Sequence, residues 1–392
     1  MANINLRDAK RAKNDEFYTQ FGDIQKEIEA YLEYNPDVFR SKVVYCNCDD
    51  PYESNFFRYF VLNFKKLGLK QLITTSYKPS PVANTQLELF GDDKSLAKSK
   101  GRPKVTANKF IINKVHDIDR DGEFNLEDVA RQLKANKHNE WTPLEEDGDF
   151  RSDECIDLLK QSDIVVTNPP FSLFRAYVKQ LFDYDKKFVI IGNKNAVTYK
   201  ENFPLIKDNK MWSGKTEWSG GLWFVTMDVG DVDRVVDGVN MKNVSSVWFT
   251  NLDHGRRHQP LPLMTMKENL KYSKHKELKG KKAYDKYDNY NAIEVPFTDS
   301  IPSDYRGVMG VPISFLDKYS PEQFVIVGMC ENEDLYKLKT KVYTTAECKK
   351  AYLAKFGKKG TYDLNASGVV YRDGLLEKVY QRILIKHKRK TK

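Results

Sequence analysis

The residues of this chain best suited to chemistry form a short turn, Asn168-Pro169-Pro170-Phe171. The β-branched residues 164–167 before it predict a buried strand, and the two prolines cannot continue a ladder, so they predict its end. The Asn168 amide oxygen and the Pro169 carbonyl are two hydrogen-bond acceptors, and Phe171 adds an aromatic face. Two acceptors match the two N–H bonds of a planar exocyclic amine, and the ring matches the face of its base. The structural alternative is a strand-ending proline turn with an Asn cap.

A mostly parallel, doubly wound α/β sheet is expected to position this turn, because strands and helices alternate around it. Predicted strands cover residues 43–48, 71–76, 164–167 and 188–192, and predicted helices cover residues 24–32, 55–64, 156–159 and 173–182. Asp23 is the predicted N-cap of the first helix. Ligands of such sheets lie at the carboxyl ends of the strands. The end of the first strand therefore holds candidate cofactor contacts: Cys46, Asn47, Asp49 and Asp50.

The loop after this first strand lacks the glycine-rich sequence that usually follows in doubly wound folds. Asn47, Asp49 and Asp50 stand in its place. Carboxylates there could accept hydrogen bonds from ribose hydroxyls or face an ammonium group, and the detailed contacts stay open. For Cys46 and Cys48 the simpler interpretation is two small residues buried in the strand.

Two peptides with aromatic residues flank these strands. Phe17-Tyr18-Thr19 precedes the first amphipathic helix, where its structural interpretation is a hydrophobic staple. Asp149-Phe150 precedes the helix before the Asn168 strand, where Asp149 could simply cap that helix.

Length, charge and cysteine content limit the classes of protein. The 392 residues, 40% of them hydrophobic, suffice for a full α/β domain and a second, smaller one. A net charge of +9 indicates a polyanionic partner. Five cysteines without a C-x-x-C pair argue against a disulfide framework and a zinc site, and no metal is expected. Without a membrane-length apolar run or a signal-like start, we expect a soluble, cytoplasmic protein.

Residues from about 78 to 109 have the composition of a mobile insertion. Within it, Gln86-Leu87-Glu88-Leu89-Phe90 resembles the peptide that docks proteins onto the bacterial sliding clamp, and the alternative is an apolar patch packed on the domain. Lys100 to Lys104 resembles an AT-hook core, with a solvated basic linker as the alternative. The acidic residues 117–128 resemble a calcium loop without its final glutamate, and an acidic turn whose Asn125 caps a helix over residues 126–133 is favoured.

The most basic stretch, residues 254–286, holds ten lysines and arginines against three acidic residues, with tyrosines interleaved. Phosphate contact is favoured over a merely solvated face. The predicted DNA contacts are Arg256, Arg257, Lys271, Lys274, Lys276, Lys279, Lys281 and Lys282. Further strands are predicted over residues 222–227, 246–250, 293–295, 310–316 and 379–385, before a basic tail.

With Phe17-Tyr18-Thr19, the Cys46 strand end, Asp149-Phe150 and the Asn168 turn in this order, the chain resembles EcoRI-type adenine-specific DNA methyltransferases. The resemblance implies a Rossmann-like S-adenosylmethionine-dependent catalytic domain over residues 1–210. It implies that residues 211–392 hold the remaining core strands, a smaller basic DNA-recognition region and the tail. Double-stranded DNA is the implied partner. We expect the enzyme to act as a monomer and to have no membrane partner.

The resemblance also implies roles for the motifs. Phe17-Tyr18-Thr19 would close over the methionine end of the cofactor, while Asp149 would accept the adenine amino group and Phe150 would stack on that ring. Asn168, Pro169, Pro170 and Phe171 would be catalytic, acting on N6 of a flipped adenine.

Three alternatives stay open at this point. Protein-glutamine and RNA amino-methyltransferases share the Asn-Pro-Pro-aromatic motif but usually keep the glycine loop. The missing loop favours a non-catalytic DNA-binding protein with a degenerate cofactor site, against which the intact Asp149 and Asn168 motifs weigh. A nuclease is least favoured, because no cluster of metal-binding carboxylates accompanies a lysine.

Overall fold

The computed structural model describes residues 18–48, 54–77, 107–118, 124–125, 128–129, 131, 138–226, 230 and 232–389. The chain divides into two units, one formed by Met1–Pro204 with Met211–Gly255 and the other by Leu205–Lys210 with Arg256–Lys392. Residues 211–255 add strands to the sheet of the first unit. No helix among the described residues is long and apolar enough to cross a membrane.

The first unit is built on a mixed eight-stranded sheet. In spatial order its strands are β5 (Glu140–Pro143), β4 (Asn108–Ile112), β3 (Gln71–Thr75), β2 (Val43–Cys46), β6 (Ile164–Thr167), β7 (Lys187–Asn193), β12 (Ser246–Thr250) and β8 (Trp212–Ser213). The central strands β3, β2, β6 and β7 run parallel. Both outer pairs are antiparallel additions. The fold is thus α/β as predicted, but the expectation of a mostly parallel sheet is wrong at both edges.

A second sheet of the first unit has the order β1 (Tyr18–Thr19), β9 (Leu222–Val225), β11 (Val239–Val244) and β10 (Arg234–Val236), all antiparallel. The helices of this unit include α1 (Phe21–Tyr34), α2 (Asn55–Leu62), α3 (Phe64–Leu67), α4 (Asp153–Gln161) and α5 (Phe174–Asp183). Helix α6 (Phe203–Lys207) spans the division between the units.

Burial and capping explain the central elements. Every residue of β2 and β6 is buried, as their apolar runs predict. Ser54 caps α2 by accepting hydrogen bonds from two backbone N–H groups of its first turn. Helix α1 begins at Phe21, so the prediction that Asp23 is its N-cap is wrong. Asp23 lies inside the first turn, where its negative charge still stabilises the helix.

The second unit has a four-stranded sheet in the order β13 (Ala292–Glu294), β14 (Val308–Pro312), β18 (Arg382–His387) and β15 (Phe324–Met329). A separate hairpin joins β16 (Val369–Arg372) to β17 (Leu375–Lys378), and the helices include α7 (Met266–Tyr272) and α8 (Thr345–Phe356). The strand predicted over 310–316 is wrong beyond Pro312, where a 3-10 turn over Ile313–Lys318 replaces it. The last strand begins three residues later than predicted.

Candidate active site

The Asn168 turn lies beside the end of a neighbouring parallel strand. β2 and β6 pair with Tyr45 opposite Val165, so their carboxyl ends lie side by side. The Thr167 hydroxyl donates to the backbone carbonyl of Asn47, and both residues are buried. The structure therefore brings the predicted cofactor residue Asn47 next to the predicted catalytic turn.

Local backbone geometry holds the turn. Pro169 is buried, whereas Asn168, Pro170 and Phe171 are half-buried, with the Asn168 side-chain oxygen shielded from solvent. The Leu173 N–H donates to the Pro170 carbonyl at 3.0 Å within a short 3-10 turn. The Phe171 ring packs partly against the core of the first unit. The turn is thus fixed while part of the aromatic ring stays exposed.

Tyr177 joins the turn to two elements predicted to bind the cofactor. It lies on α5, which follows the turn, and it is fully buried. Its hydroxyl donates to the side-chain oxygen of Asn47. Its ring meets Phe150 edge-on with the centroids 4.9 Å apart, and Gln180 of the same helix donates to the Phe150 carbonyl at 3.0 Å. One helix therefore positions the predicted catalytic turn, Asn47 and Phe150 together.

The Asp149-Phe150 peptide lies at the carboxyl end of β3. Gly148 has a φ of +78°, and a Cβ added there would lie 2.0 Å from the Ser76 carbonyl oxygen. Ser76 directly follows β3, the other parallel neighbour of β2. Because only glycine permits this approach, the chain brings Asp149 and Phe150 to the same edge of the sheet as Asn47.

Asp149 is held as an ionised hydrogen-bond acceptor. The Arg151 guanidinium donates from Nε to Oδ1 at 2.8 Å and from Nη2 to Oδ2 at 2.6 Å. Burial opposes ionisation, but the side-chain and backbone hydrogen bonds from Arg151 outweigh it and hold the pKa of Asp149 below its usual range. Since a carboxylate offers about four acceptor positions, Asp149 can accept a further donor. It does not cap α4, because Ser152 does so.

The described part of the amino-terminal peptide contacts the start of α2. The Asn55 side chain, which begins α2 after the loop that follows β2, donates to the Thr19 carbonyl at 2.7 Å. Tyr18 pairs with Val225 in the small sheet. The remaining predicted contacts of these two segments lie outside the described residues: Phe17, Asp49 and Asp50.

The turn after β2 forms without glycine. Cys46 is fully buried in the strand, and Cys48 adopts a left-handed φ of 62°. Glycine is the residue that adopts a left-handed backbone conformation most easily. Cys48 therefore adopts the left-handed conformation that glycine adopts without strain.

Comparison with known proteins supplies the family. Residues 5–388 match the family model described as adenine-specific methyltransferase EcoRI. The chain belongs to this family. It is 43% identical over 339 residues to the Type II methyltransferase M.EcoRI of Escherichia coli, covering 84% of this chain and 90% of the relative. It is 36% identical over 344 residues to the Type II methyltransferase M.MpnI of Mycoplasma pneumoniae, covering 86% and 89%. No solved structure matches the chain.

Membership in the EcoRI family confirms the resemblance predicted from the motifs. The protein is a site-specific DNA methyltransferase, which needs a methyl donor. Among the described residues, no three His, Cys, Asp or Glu side chains come together as a metal site. In the calcium-like segment, the Asp128 carboxylate accepts the backbone N–H groups of Ile118 at 2.6 Å and Asn125 at 3.0 Å.

The predicted DNA contacts of this EcoRI-family enzyme fall into two groups. Arg256 forms a 2.9 Å ion pair with Asp317, in which the two side chains are 17% and 9% exposed. Lys281 pairs with Asp285 at 3.0 Å, and Arg257 donates to Asn209 at 3.0 Å. These three cations stabilise the second unit. The other five are exposed on its surface, with Lys274 also paired to Asp299: Lys271, Lys274, Lys276, Lys279 and Lys282.

Sequence reasoning missed three residues that organise the site. Tyr177 and Asn55 act on partners far away in sequence, so no local pattern indicates them. Arg151 could have been found, because a cation two residues after a carboxylate in a loop is well placed to pair with it.

Proposed function

We propose that the first unit is a Rossmann-like domain that binds S-adenosylmethionine and methylates N6 of an adenine in duplex DNA. The observation that carries this proposal is the buried link from Thr167 through Asn47 to Tyr177. It connects the turn proposed to bind the methyl-accepting base with the residues proposed to bind the methyl donor, at one edge of the sheet. Direct transfer between two bound reactants needs such fixed proximity.

The residues at this edge fit an adenosine-containing methyl donor. Asp149 is ionised and has acceptor capacity for an adenine amino group, and Phe150 supplies the adjacent ring. When bound, S-adenosylmethionine supplies a methyl group already activated on a sulfonium. We assign the remaining contacts to the β2 end and the amino-terminal peptide: Cys46, Asn47, Asp49, Asp50, Phe17, Tyr18 and Thr19.

The Asn168 turn binds the adenine that receives the methyl group. The base must leave the DNA stack, because N6 cannot be reached inside the duplex. Phe171 stacks on the extruded base, while the Asn168 side-chain oxygen and the Pro169 carbonyl accept its two N6 hydrogens. These hydrogen bonds orient the nitrogen lone pair toward the donor, and Pro170 keeps the turn rigid. Losing one preorganised partner of this kind costs about a hundredfold or more in rate.

The second unit, with its exposed lysines, is proposed to contact the DNA. Lysines bind phosphates without reading sequence, so they supply affinity and register. A monomer is the proposed acting form. The clamp-docking peptide Gln86–Phe90 lies outside the described residues and stays a prediction.

The test is transfer of labelled methyl from S-adenosylmethionine to unmethylated duplex DNA, with an RNA of the same sequence as control. We expect the label in DNA, recovered as N6-methyladenine at one recurring sequence. Label in RNA alone, or on another atom of DNA, would contradict the proposed substrate.

A further inference from the structure

The second unit contains a cavity of about 890 Å³ that the methyl-transfer site does not use. Its lining includes three aromatic rings, Phe356, Tyr362 and Tyr380, together with the carboxamide of Gln381. The cavity borders α8 and the segment between β17 and β18. It therefore combines flat apolar surfaces with a polar group that both donates and accepts.

Tyr380 is exposed on a rigid backbone. Its side chain is 87% exposed, the largest exposure among the large hydrophobic residues that the structure describes. Its carbonyl accepts from Ser367 Oγ at 2.9 Å and Arg382 Nη1 at 3.4 Å. Val379 before it is buried, and Arg382 is fixed by a buried ion pair with Glu294 at 2.7 Å. The backbone that carries Tyr380 is thus held in place, and its exposed ring can pack on a flat apolar partner.

The charges around the cavity indicate which part of DNA suits it better, a phosphate or a base. Lys355 and Arg372 pair with Glu377 at 2.6 Å and 3.5 Å, and Arg382 pairs with Glu294. Three of the four lining cations are thus paired, whereas Lys378 has no ion pair among the described residues, and Glu277 and Glu331 add negative charge to the lining. A phosphate site instead needs several cations that present their charge. A neutral, hydrogen-bonding, flat group suits the lining better, and a nucleobase has these properties.

Gln381 has the hydrogen-bonding capacity to read such a base. Its Nε2 donates to Met329 Sδ at 3.3 Å, a weak acceptor, and no described residue donates to its Oε1. Because its present hydrogen bond is weak, this carboxamide loses little free energy when it exchanges that bond for others. It can then form the paired donor and acceptor bonds that glutamine makes with adenine.

We propose that Tyr380 and Gln381 form a base-reading contact of this methyltransferase, separate from the flipped-adenine site. Tyr380 packs its ring on a base of the recognition sequence where the duplex is partly unstacked, and Gln381 hydrogen-bonds to a base edge. This inference rests on the proposed function, since it concerns the DNA that the enzyme methylates. It assigns sequence reading to the segment between β17 and β18 and leaves phosphate contact to the exposed lysines.

The experiment first maps the methylated sequence with the wild type. Binding of a duplex with that sequence, and of duplexes with single base-pair changes, is then measured for the wild type, Tyr380→Ala, Tyr380→Phe and Gln381→Ala. Tyr371→Ala is the matched control, because Tyr371 is 59% exposed in the same unit and does not line the cavity. Thermal unfolding and S-adenosylmethionine binding verify that each variant is folded.

We expect Tyr380→Ala to weaken binding of the mapped sequence about tenfold and Tyr380→Phe to retain it, because stacking needs the ring. Gln381→Ala should lose about tenfold in discrimination at one base pair and leave the others unchanged. Equal affinity and discrimination in these variants, with methylation by the wild type intact, would overturn this inference alone. Absence of DNA methylation by the folded wild type would overturn the proposed function and this inference with it.

Discussion

The hydrogen bond from Tyr177 to Asn47 makes a quantitative prediction for Tyr177→Phe. Phenylalanine keeps the edge-on contact with Phe150 and removes only the hydroxyl. The Asn47 side-chain oxygen, in a residue 2% exposed, then loses its donor. Leaving a buried acceptor without a partner costs about 1–3 kcal/mol. We expect the free energy of unfolding to fall by that amount.

The same substitution should weaken cofactor binding, because Asn47 lies at the proposed cofactor site. A neutral hydrogen bond contributes about 1 kcal/mol, which corresponds to about a fivefold increase in Kd. Urea unfolding measures the stability, and titration calorimetry measures the Kd of S-adenosylmethionine. The control is Tyr184→Phe, a half-buried tyrosine just past the same helix, which should change neither value.

A double-mutant cycle with Asn47→Ala tests the physical reasoning. If the two side chains act through one hydrogen bond, their effects are non-additive, with a coupling energy of about 0.5–3 kcal/mol. Additive effects, or a Tyr177→Phe variant as stable as the wild type, would refute the role assigned to this contact.

Two further predictions concern the surroundings of the site. A Cβ added to Gly192 would lie 2.4 Å from the Phe174 ring at the start of α5, so Gly192→Ala should destabilise the protein by about 1–3 kcal/mol in urea unfolding. Gly22→Ala, in open space on α1, should instead stabilise it by up to about 1 kcal/mol, and equal effects would contradict this packing argument. Arg151→Ala should raise the pKa of Asp149, because the guanidinium is lost and only the backbone N–H of residue 151 still opposes the effect of burial. The pKa of Asp149 is depressed in the wild type, so its interaction with Arg151 stabilises the protein fully above the ordinary pKa of 3.8. This stabilisation is lost as the pH falls through the folded-state pKa of Asp149. Unfolding measured across that range should show the difference between wild type and variant shrinking toward low pH, and a pH-independent difference would count against the ion pair.

Local patterns in the sequence were sufficient for the central strands and for the end of β6 at the Asn168 turn. The apolar run of β6 ends at two prolines, so both its burial and its end follow from residue type. The resemblance to the EcoRI family rested on the same short motifs, and the family match confirms it.

Contacts between distant segments could not be predicted in this way. Tyr177 lies 130 residues from Asn47 in the chain, and Gly148 meets Ser76 only because β3 ends there. The antiparallel pairing at the sheet edges was missed for a similar reason, although the strand over 246–250 was predicted, since a strand pattern gives no direction of pairing. The left-handed Cys48 was missed because its residue type does not favour that conformation.

The most direct test of the central claim is single-turnover methyl transfer by Asn168→Ala, with S-adenosylmethionine and target DNA both saturating. The proposed role of the Asn168 oxygen as acceptor for N6 predicts a rate lower by about a hundredfold or more, with cofactor and DNA affinities unchanged. A transfer rate within a few-fold of the wild type would contradict that role and the mechanism built on it.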